Sequence, residues 1–300
     1  MSDNLESIKR PNFFFVGHTR SGTTSLKEEL NQHPDIYFYY PSSWKKANGP
    51  FGFESSFKND EEFLEEFRGI TAKRVGQKVG DYLSCPWAAE RIKKFSPDAK
   101  IIMILRNPID VMYSLHATMV YRETFEDVED FEEALKMEKE RKEKNGYKII
   151  PDKYHPHMFY RETVRYPQQV KRYFDLFGKE NVKVVIFDEY IKNKSATLQD
   201  ILKFLDVDDK FEIKHVNTNA GRKYRSRTIH SAMMKNKFGI RGVFRNIPGI
   251  AKVYRKINNN EFKRISLKPS LKKSLQNDLK NEIDELSSML KKDLSYWYMN

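Results

Sequence analysis

Residues 13–26, Phe-Phe-Phe-Val-Gly-His-Thr-Arg-Ser-Gly-Thr-Thr-Ser-Leu, constrain the fold of this chain more than any other stretch. Three phenylalanines and a valine in a row read as a buried strand. Gly17 and Gly22 frame a tight loop, and the residues after Gly22 open a helix. A strand that turns through glycine into a helix aims several backbone N–H groups at one point. The positive end of the helix dipole lies behind them, which makes a site for an anion. The pattern comes close to the G-x-x-x-x-G-K-[ST] loop that cradles nucleoside triphosphates, but Thr23-Thr24 stand where Lys-[Ser/Thr] should follow. That lysine would reach the β/γ-phosphates, and the hydroxyl after it would hold Mg²⁺. A cation stands inside the loop instead, at Arg20. One phosphate-like group can still be held by N–H donors, by the hydroxyls of Ser21, Thr23, Thr24 and Ser25, and by the Arg20 guanidinium. The plainer alternative is a Gly/Ser/Thr loop that only caps a helix.

Beyond this loop, extended apolar segments at 36–40, 75–79, 100–105 and 182–187 alternate with helical patterns at 60–67, 86–95, 107–120, 127–143, 157–177 and 195–205. The alternation predicts an α/β, three-layer, P-loop-like fold with a central parallel sheet. Residues 225–300 read as helical C-terminal additions. Their clearest helix spans 269–292, with apolar side chains at 271, 275, 279, 283, 286 and 290. In such sheets ligands bind where strands end and helices begin, so the loops 17–25 and 106–114 are the places to look for chemistry.

With 39% hydrophobic and 13% aromatic residues the chain has enough apolar mass for a sizeable core. One cysteine, Cys85, excludes an intrachain disulfide and a multi-cysteine metal site, and its apolar neighbours predict a buried, unreactive thiol. No apolar run is long enough to span a bilayer and no apolar signal region opens the sequence, so the chain is read as soluble and cytoplasmic. The net charge of +12 is unevenly spread: residues 222–273 hold 16 Lys/Arg and one acid, Glu261. Such a region attracts an acidic glycan, nucleic acid or an anionic membrane, or is simply a solvated basic surface. Residues 238–257 alternate apolar and basic side chains and allow peripheral contact with an anionic membrane. No nucleic-acid-binding motif is present, and no nucleic-acid partner is expected.

The second loop reads Leu105-Arg106-Asn107-Pro108-Ile109-Asp110-Val111-Met112-Tyr113-Ser114-Leu115-His116. Arg106 stands at a strand end and Ser114 two turns into the following helix, a pair that can grip one phosphate from two sides. Alone, Arg106 would read as a salt bridge to Asp110 and Ser114 as a neutral helix residue. Together with Arg20-Ser21-Gly22-Thr23-Thr24, His33-Pro34-Asp35-Ile36, Asp81-Tyr82-Leu83 and Pro97-Asp98-Ala99-Lys100-Ile101-Ile102, this loop resembles the family of sulfotransferases that use PAPS, 3′-phosphoadenosine 5′-phosphosulfate. Tyr40-Pro41-Ser42-Ser43 and Gly221-Arg222-Lys223-Tyr224 resemble the heparan sulfate N-sulfotransferase branch.

The resemblance implies a single sulfotransferase domain over 1–300, with a cofactor-binding α/β core at 11–227 and a basic helical extension at 228–300. It implies that the first loop holds the 5′-phosphosulfate, that Arg106 and Ser114 hold the 3′-phosphate, and that Arg222 and Lys223 lie on a segment closing over the co-substrate. Its chemistry is an in-line transfer of a sulfuryl group to a hydroxyl or amine of a small-molecule, glycan or lipid acceptor, without a metal. Arg20 stands where the family usually has lysine. Many members carry a catalytic carboxylate after the His-Pro-Asp segment, whereas this chain has Trp44-Lys45-Lys46-Ala47-Asn48-Gly49-Pro50. Glu54, a few residues on, and His116, half a turn past Ser114, are the candidates for the base. The competing readings are a P-loop nucleotide or phosphate kinase, opposed by the absent lysine, and a basic nucleic-acid-binding protein built on 222–273.

Overall fold

The structure is a computed structural model and describes residues 5–18, 20–41, 48–122, 126–145, 156–216, 222–224, 259–261 and 267–299. In chain order the elements are β1 (Phe13–Phe15), α1 (Thr23–Leu30), β2 (Ile36–Phe38), α2 (Asp60–Glu65), β3 (Arg74–Lys78), α3 (Ala88–Phe95), β4 (Lys100–Leu105), α4 (Pro108–Arg122), α5 (Phe131–Asn145), α6 (Tyr160–Thr163), α7 (Tyr166–Phe177), β5 (Val182–Ile186), α8 (Phe187–Lys192), α9 (Lys194–Phe204), β6 (Arg222–Tyr224), β7 (Asn259–Glu261), α10 (Pro269–Leu290) and α11 (Tyr296–Met299).

Five strands form one sheet in the order β2-β3-β1-β4-β5, and every neighbouring pair is parallel. Phe13 pairs with Gly76 on one side and Lys100 on the other, so β1 lies at the centre. Side chains alternate between two cores. Phe14, Ile101, Met103 and Leu105 face one, with Val16 beside them, and Phe13, Phe15, Ile102 and Ile104 face the other. A sheet buried on both faces needs continuous apolar strands, which is why these segments carry no polar alternation. The result is the three-layer α/β arrangement expected from the sequence. β6 and β7 form a separate antiparallel pair.

Three local boundaries differ from the sequence reading. The single helix expected over 157–177 is two, α6 and α7, because Pro167 in the first turn of α7 supplies no N–H to a helix arriving from α6. Helix α5 starts at 131 rather than 127. Asp130 sets that start, its carboxylate accepting the Glu133 N–H at 3.1 Å and its carbonyl the Ala134 N–H at 3.0 Å. Helix α8 directly after β5 was not foreseen. Apart from β6, β7 and residues 267–273, the basic region lies outside the described residues.

Cys85 is buried, and burial pushes its thiol up to about 12. No helix among the described residues is long and apolar enough to cross a membrane. Helix α10 lays Leu275, Leu279, Ile283 and Leu286 into the same core that holds Phe14 and Ile101, and it packs against α7 and α4. Ile283→Ala removes three buried carbons from that shared core. It is expected to cost about 2–5 kcal/mol, read by urea unfolding as one cooperative transition shifted as a whole. A separate early transition would show that α10 folds apart from the sheet.

Candidate anion-binding site at the strand ends

Strand β1 delivers the chain to Gly17, and a Cβ there would lie 2.8 Å from Ile104 Cγ2 and 3.0 Å from the Ile104 nitrogen. The first glycine therefore lets the loop pass close over β4. Gly22 has φ 84°, and its Cβ would lie 2.5 Å from a ring carbon of Phe187, so the second glycine answers both a left-handed turn and a packed ring. Gly22 precedes the first turn of α1 and no side chain caps that end. The helix N-terminus is thus left to backbone donors, as an anion site requires. Arg20 also takes a left-handed φ of 77°, an arrangement that costs about 1–2 kcal/mol outside glycine. Ser21 is buried, and its hydroxyl has no hydrogen-bond partner among the described residues.

His18, inside the loop, serves to brace it. The Gln169 side-chain NH₂ donates to the carbonyls of Glu162 and Thr163 at 3.0 and 3.1 Å, which turns its oxygen toward His18 Nε2 at 3.1 Å. The imidazole therefore carries its proton on Nε2. Burial lowers His18 to about 4, and the ring stays neutral at physiological pH.

The second loop meets the first. Arg20 Nε donates to Ser114 Oγ at 2.9 Å, and Arg106 Nη1 donates to the Arg20 carbonyl at 3.2 Å. Arg106 also forms an ion pair with Asp110 at 2.7 Å, and its guanidinium carbon lies 4.8 Å from the centre of the Phe187 ring. Arg106 thus makes the Asp110 ion pair of its simpler reading and also touches the first loop through the Arg20 carbonyl. Arg20, Ser21 and Gly22 of the loop run directly into Thr23, Thr24 and Ser25 at the start of α1, and Arg106 and Ser114 adjoin them through Arg20.

Lys78 is a member of this neighbourhood that sequence reasoning missed. It ends β3 directly beside Phe15 of β1. Burial, with Lys27 close by, lowers Lys78 to about 8, and no hydrogen bond or ion pair to an anion holds it among the described residues. A lysine at the end of a predicted strand was a usable signal, but a single polar residue closing Val75–Val79 reads equally well as a strand terminus.

The two base candidates separate. His116 lies two residues past Ser114, about 200° around the helix, so it faces away from Arg20. Its Nε2 meets the Val128 carbonyl at 2.8 Å, and it packs between Phe131 and Tyr160. Burial lowers its proton affinity. The expectation of His116 as base is therefore corrected: it is a structural histidine of the α4–α5–α6 corner. Glu54 is half-buried and accepts from Asn48 Nδ2 at 2.8 Å. The next residue back, Phe53, donates its N–H to Asp81 Oδ2 at 3.3 Å. Burial raises Asp81 to about 6, the nearby Glu54 charge adding to the effect, and Asp81 Oδ1 is enclosed without a hydrogen-bond partner among the described residues. Arg222 and Lys223 lie in β6, whose backbone pairs with β7; their side chains lie outside the described residues. No cluster of metal-ligating side chains occurs among the described residues.

The chain is similar to several known proteins. The sequence is 21% identical over 234 residues to a bifunctional heparan sulfate N-deacetylase/N-sulfotransferase 1 of Caenorhabditis briggsae, covering 77% of this chain and 26% of that protein. It is 31% identical over 105 residues to the membrane-associated sulfotransferase kil1 of Dictyostelium discoideum, covering 33% of this chain and 21% of that one. The chain thus spans about a quarter or less of these curated relatives. Among solved structures, a sulfotransferase from Alicyclobacillus acidocaldarius superposes with a TM-score of 0.70 at 27% identity, over 97% of this chain and 99% of that one. The family model described as the sulfotransferase domain matches residues 10–292. By that match, across nearly its whole length, the chain belongs to the sulfotransferase domain family.

Proposed function

We propose that this chain transfers a sulfuryl group from PAPS to a hydroxyl or amine of a carbohydrate or glycolipid acceptor. The observation that carries the reading is the junction of Arg20, Ser114 and Arg106, which brings two candidate anion-binding groups side by side at the strand ends. PAPS carries an anion at each of two positions on its adenosine, and family membership fits that donor. The acceptor class draws its support from the names of the glycan-modifying relatives and from the basic stretch at 222–273. Cytoplasmic placement and peripheral contact with an anionic membrane belong to the same proposal; the Dictyostelium relative is named membrane-associated.

In this reading the acceptor heteroatom attacks sulfur while the bond from sulfur to the 5′-phosphate oxygen breaks. The electron pair leaves with adenosine 3′,5′-bisphosphate, and the acceptor proton passes to the Glu54 carboxylate. Charge grows on the leaving oxygen. The N–H groups of the loop, Arg20 and Lys78 stabilise it, and all of them are in place before the reaction. Arg20 is permanently charged, so it offers charge and hydrogen bonds rather than a proton. Arg106 and Ser114 hold the 3′-phosphate, with Arg222 and Lys223 completing its enclosure.

Arg106→Ala is expected to weaken adenosine 3′,5′-bisphosphate binding about 10–100-fold in calorimetry; unchanged affinity would remove the 3′-phosphate from this position. Glu54→Gln is expected to lower kcat about 10²–10⁴-fold while bisphosphate affinity holds, as followed with radiolabelled PAPS and a panel of glycan, lipid and phenol acceptors. A fully active variant would exclude Glu54 as the base.

Lys78 sets the alkaline behaviour. Its ammonium is charged below its pKa, so stabilisation of the leaving phosphate is lost as pH rises past about 8. kcat/KM should fall along an alkaline limb centred near that pH, because this ratio reports groups of the free enzyme. Lys78→Arg, charged throughout, should erase the limb; its persistence in that variant would assign it elsewhere.

A further inference from the structure

We propose that Trp297 is a positioning residue for the anion half-site around Arg106, acting through Asp188 and Asn107; the proposal rests on the assignment of the 3′-phosphate to Arg106. Trp297 lies in α11, far along the chain from both loops, and is 1% exposed. Its indole Nε1–H donates to Asp188 Oδ2 at 3.0 Å, and the Tyr296 hydroxyl donates to the same oxygen at 3.3 Å. Asp188 directly follows Phe187, the ring that lies over the Arg106 guanidinium and against Gly22. The Trp297 carbonyl accepts Asn107 Nδ2–H at 3.0 Å, while Asn107 Oδ1 takes the Ile109 N–H at 3.0 Å in the first turn of α4. Tyr166 completes the set. Its hydroxyl donates to the Arg106 carbonyl at 2.9 Å, and its ring meets the indole edge-on with centroids 6.2 Å apart.

Three supports of Arg106 therefore converge on one side chain and its carbonyl: the residue after it, the ring across from it and the tyrosine on its backbone. A guanidinium that must meet a phosphate gains from being held where the phosphate will sit. Plain core filling would also bury a tryptophan, but would not require its N–H to meet the carboxylate next to Phe187. If Trp297 only fills space, its loss should disturb every ligand of the site alike. If it positions Arg106, only ligands that carry the 3′-phosphate should suffer.

The test uses the full chain and two probes, adenosine 3′,5′-bisphosphate and adenosine 5′-monophosphate, titrated calorimetrically into wild type, W297F, D188A and the double variant. Trp297→Phe keeps an aromatic ring in the core and removes the N–H donor. Asp188→Ala removes the acceptor of the same bond. Each single variant is expected to lose about tenfold in bisphosphate affinity, with monophosphate affinity within about twofold of wild type. The double variant should lose no more than D188A alone, since W297F removes one of the two hydrogen bonds that D188A removes. KM for PAPS should rise by a similar factor with kcat nearly unchanged. Equal losses for both nucleotides, no loss for either, or fully additive losses in the double variant would overturn the proposal. Should W297F not fold, D188A gives the same reading on its own, selective loss supporting the proposal and equal or absent loss refuting it. Failure of the underlying assignment looks different: wild type itself would then bind the two nucleotides equally, and both statements would fall together.

Discussion

Phe187 is the place where the two loops of the site are held at a fixed separation. Its ring fills the space where a Cβ on Gly22 would stand, and its face lies under the Arg106 guanidinium. The ring can do this because β5 neighbours β4, and β4 neighbours β1, so three chain turns leave the same, carboxyl end of the sheet. Parallel strands make this possible, since all of them deliver their carboxyl ends to the same side. A cation over an aromatic face is worth about 0.5–2 kcal/mol. Its importance is geometric: it fixes the guanidinium plane before any ligand arrives.

The titratable groups of this region divide by what surrounds them. His18 and His116 are buried and bonded, and burial lowers the proton affinity of both, His18 to about 4. Glu29, fully buried in α1, is enclosed by Lys194 at 3.1 Å, by the Tyr190 hydroxyl and by the Val216 N–H at 2.9 Å. Satisfied on all sides, it locks α1 to α9 and to the segment at 216. Lys78 and Asp81 are the opposite case. Each is shifted by burial toward the neutral form, and each lacks a full set of partners among the described residues. Groups left in that condition are where charge on a ligand or substrate is best accommodated.

Much of this was readable from the sequence, for identifiable reasons. The strand–loop–helix at 13–26 is local, so glycine spacing and an apolar run sufficed to place it. Arg106 and Ser114 were legible because both lie within one strand-to-helix unit. His116 stands half a turn past Ser114, and the sequence does not tell which face of that helix meets the loop; the bond to Val128 and the packing on Phe131 and Tyr160 do. The split of α6 from α7 turned on a single Pro167 whose effect a smooth apolar pattern concealed. Trp297 was beyond reach for a different reason. Its bonds to Asn107 and Asp188 span 190 and 109 residues, and no periodicity along the chain reports a contact that only the tertiary packing of α10 and α11 creates.

The exchange of the loop lysine for Thr23, with Arg20 inside the loop, follows from where charge must be met on the proposed reading. A triphosphate presents its reacting phosphate beyond the loop, where a lysine on the helix can reach it. A donor whose reacting group is a single sulfate on the 5′-phosphate presents less charge there and more at its other end. Arg20 reaches toward that other end already, with Nε on Ser114 and its carbonyl under Arg106. An arginine in this place keeps its charge at every relevant pH, so it cannot supply the titration that a lysine would. On that reading the pH response of the site is left to Lys78 on the neighbouring strand and to the Asp81 carboxyl. Charge that never changes joins the two half-sites, and charge that can change sits where the sulfuryl group would move.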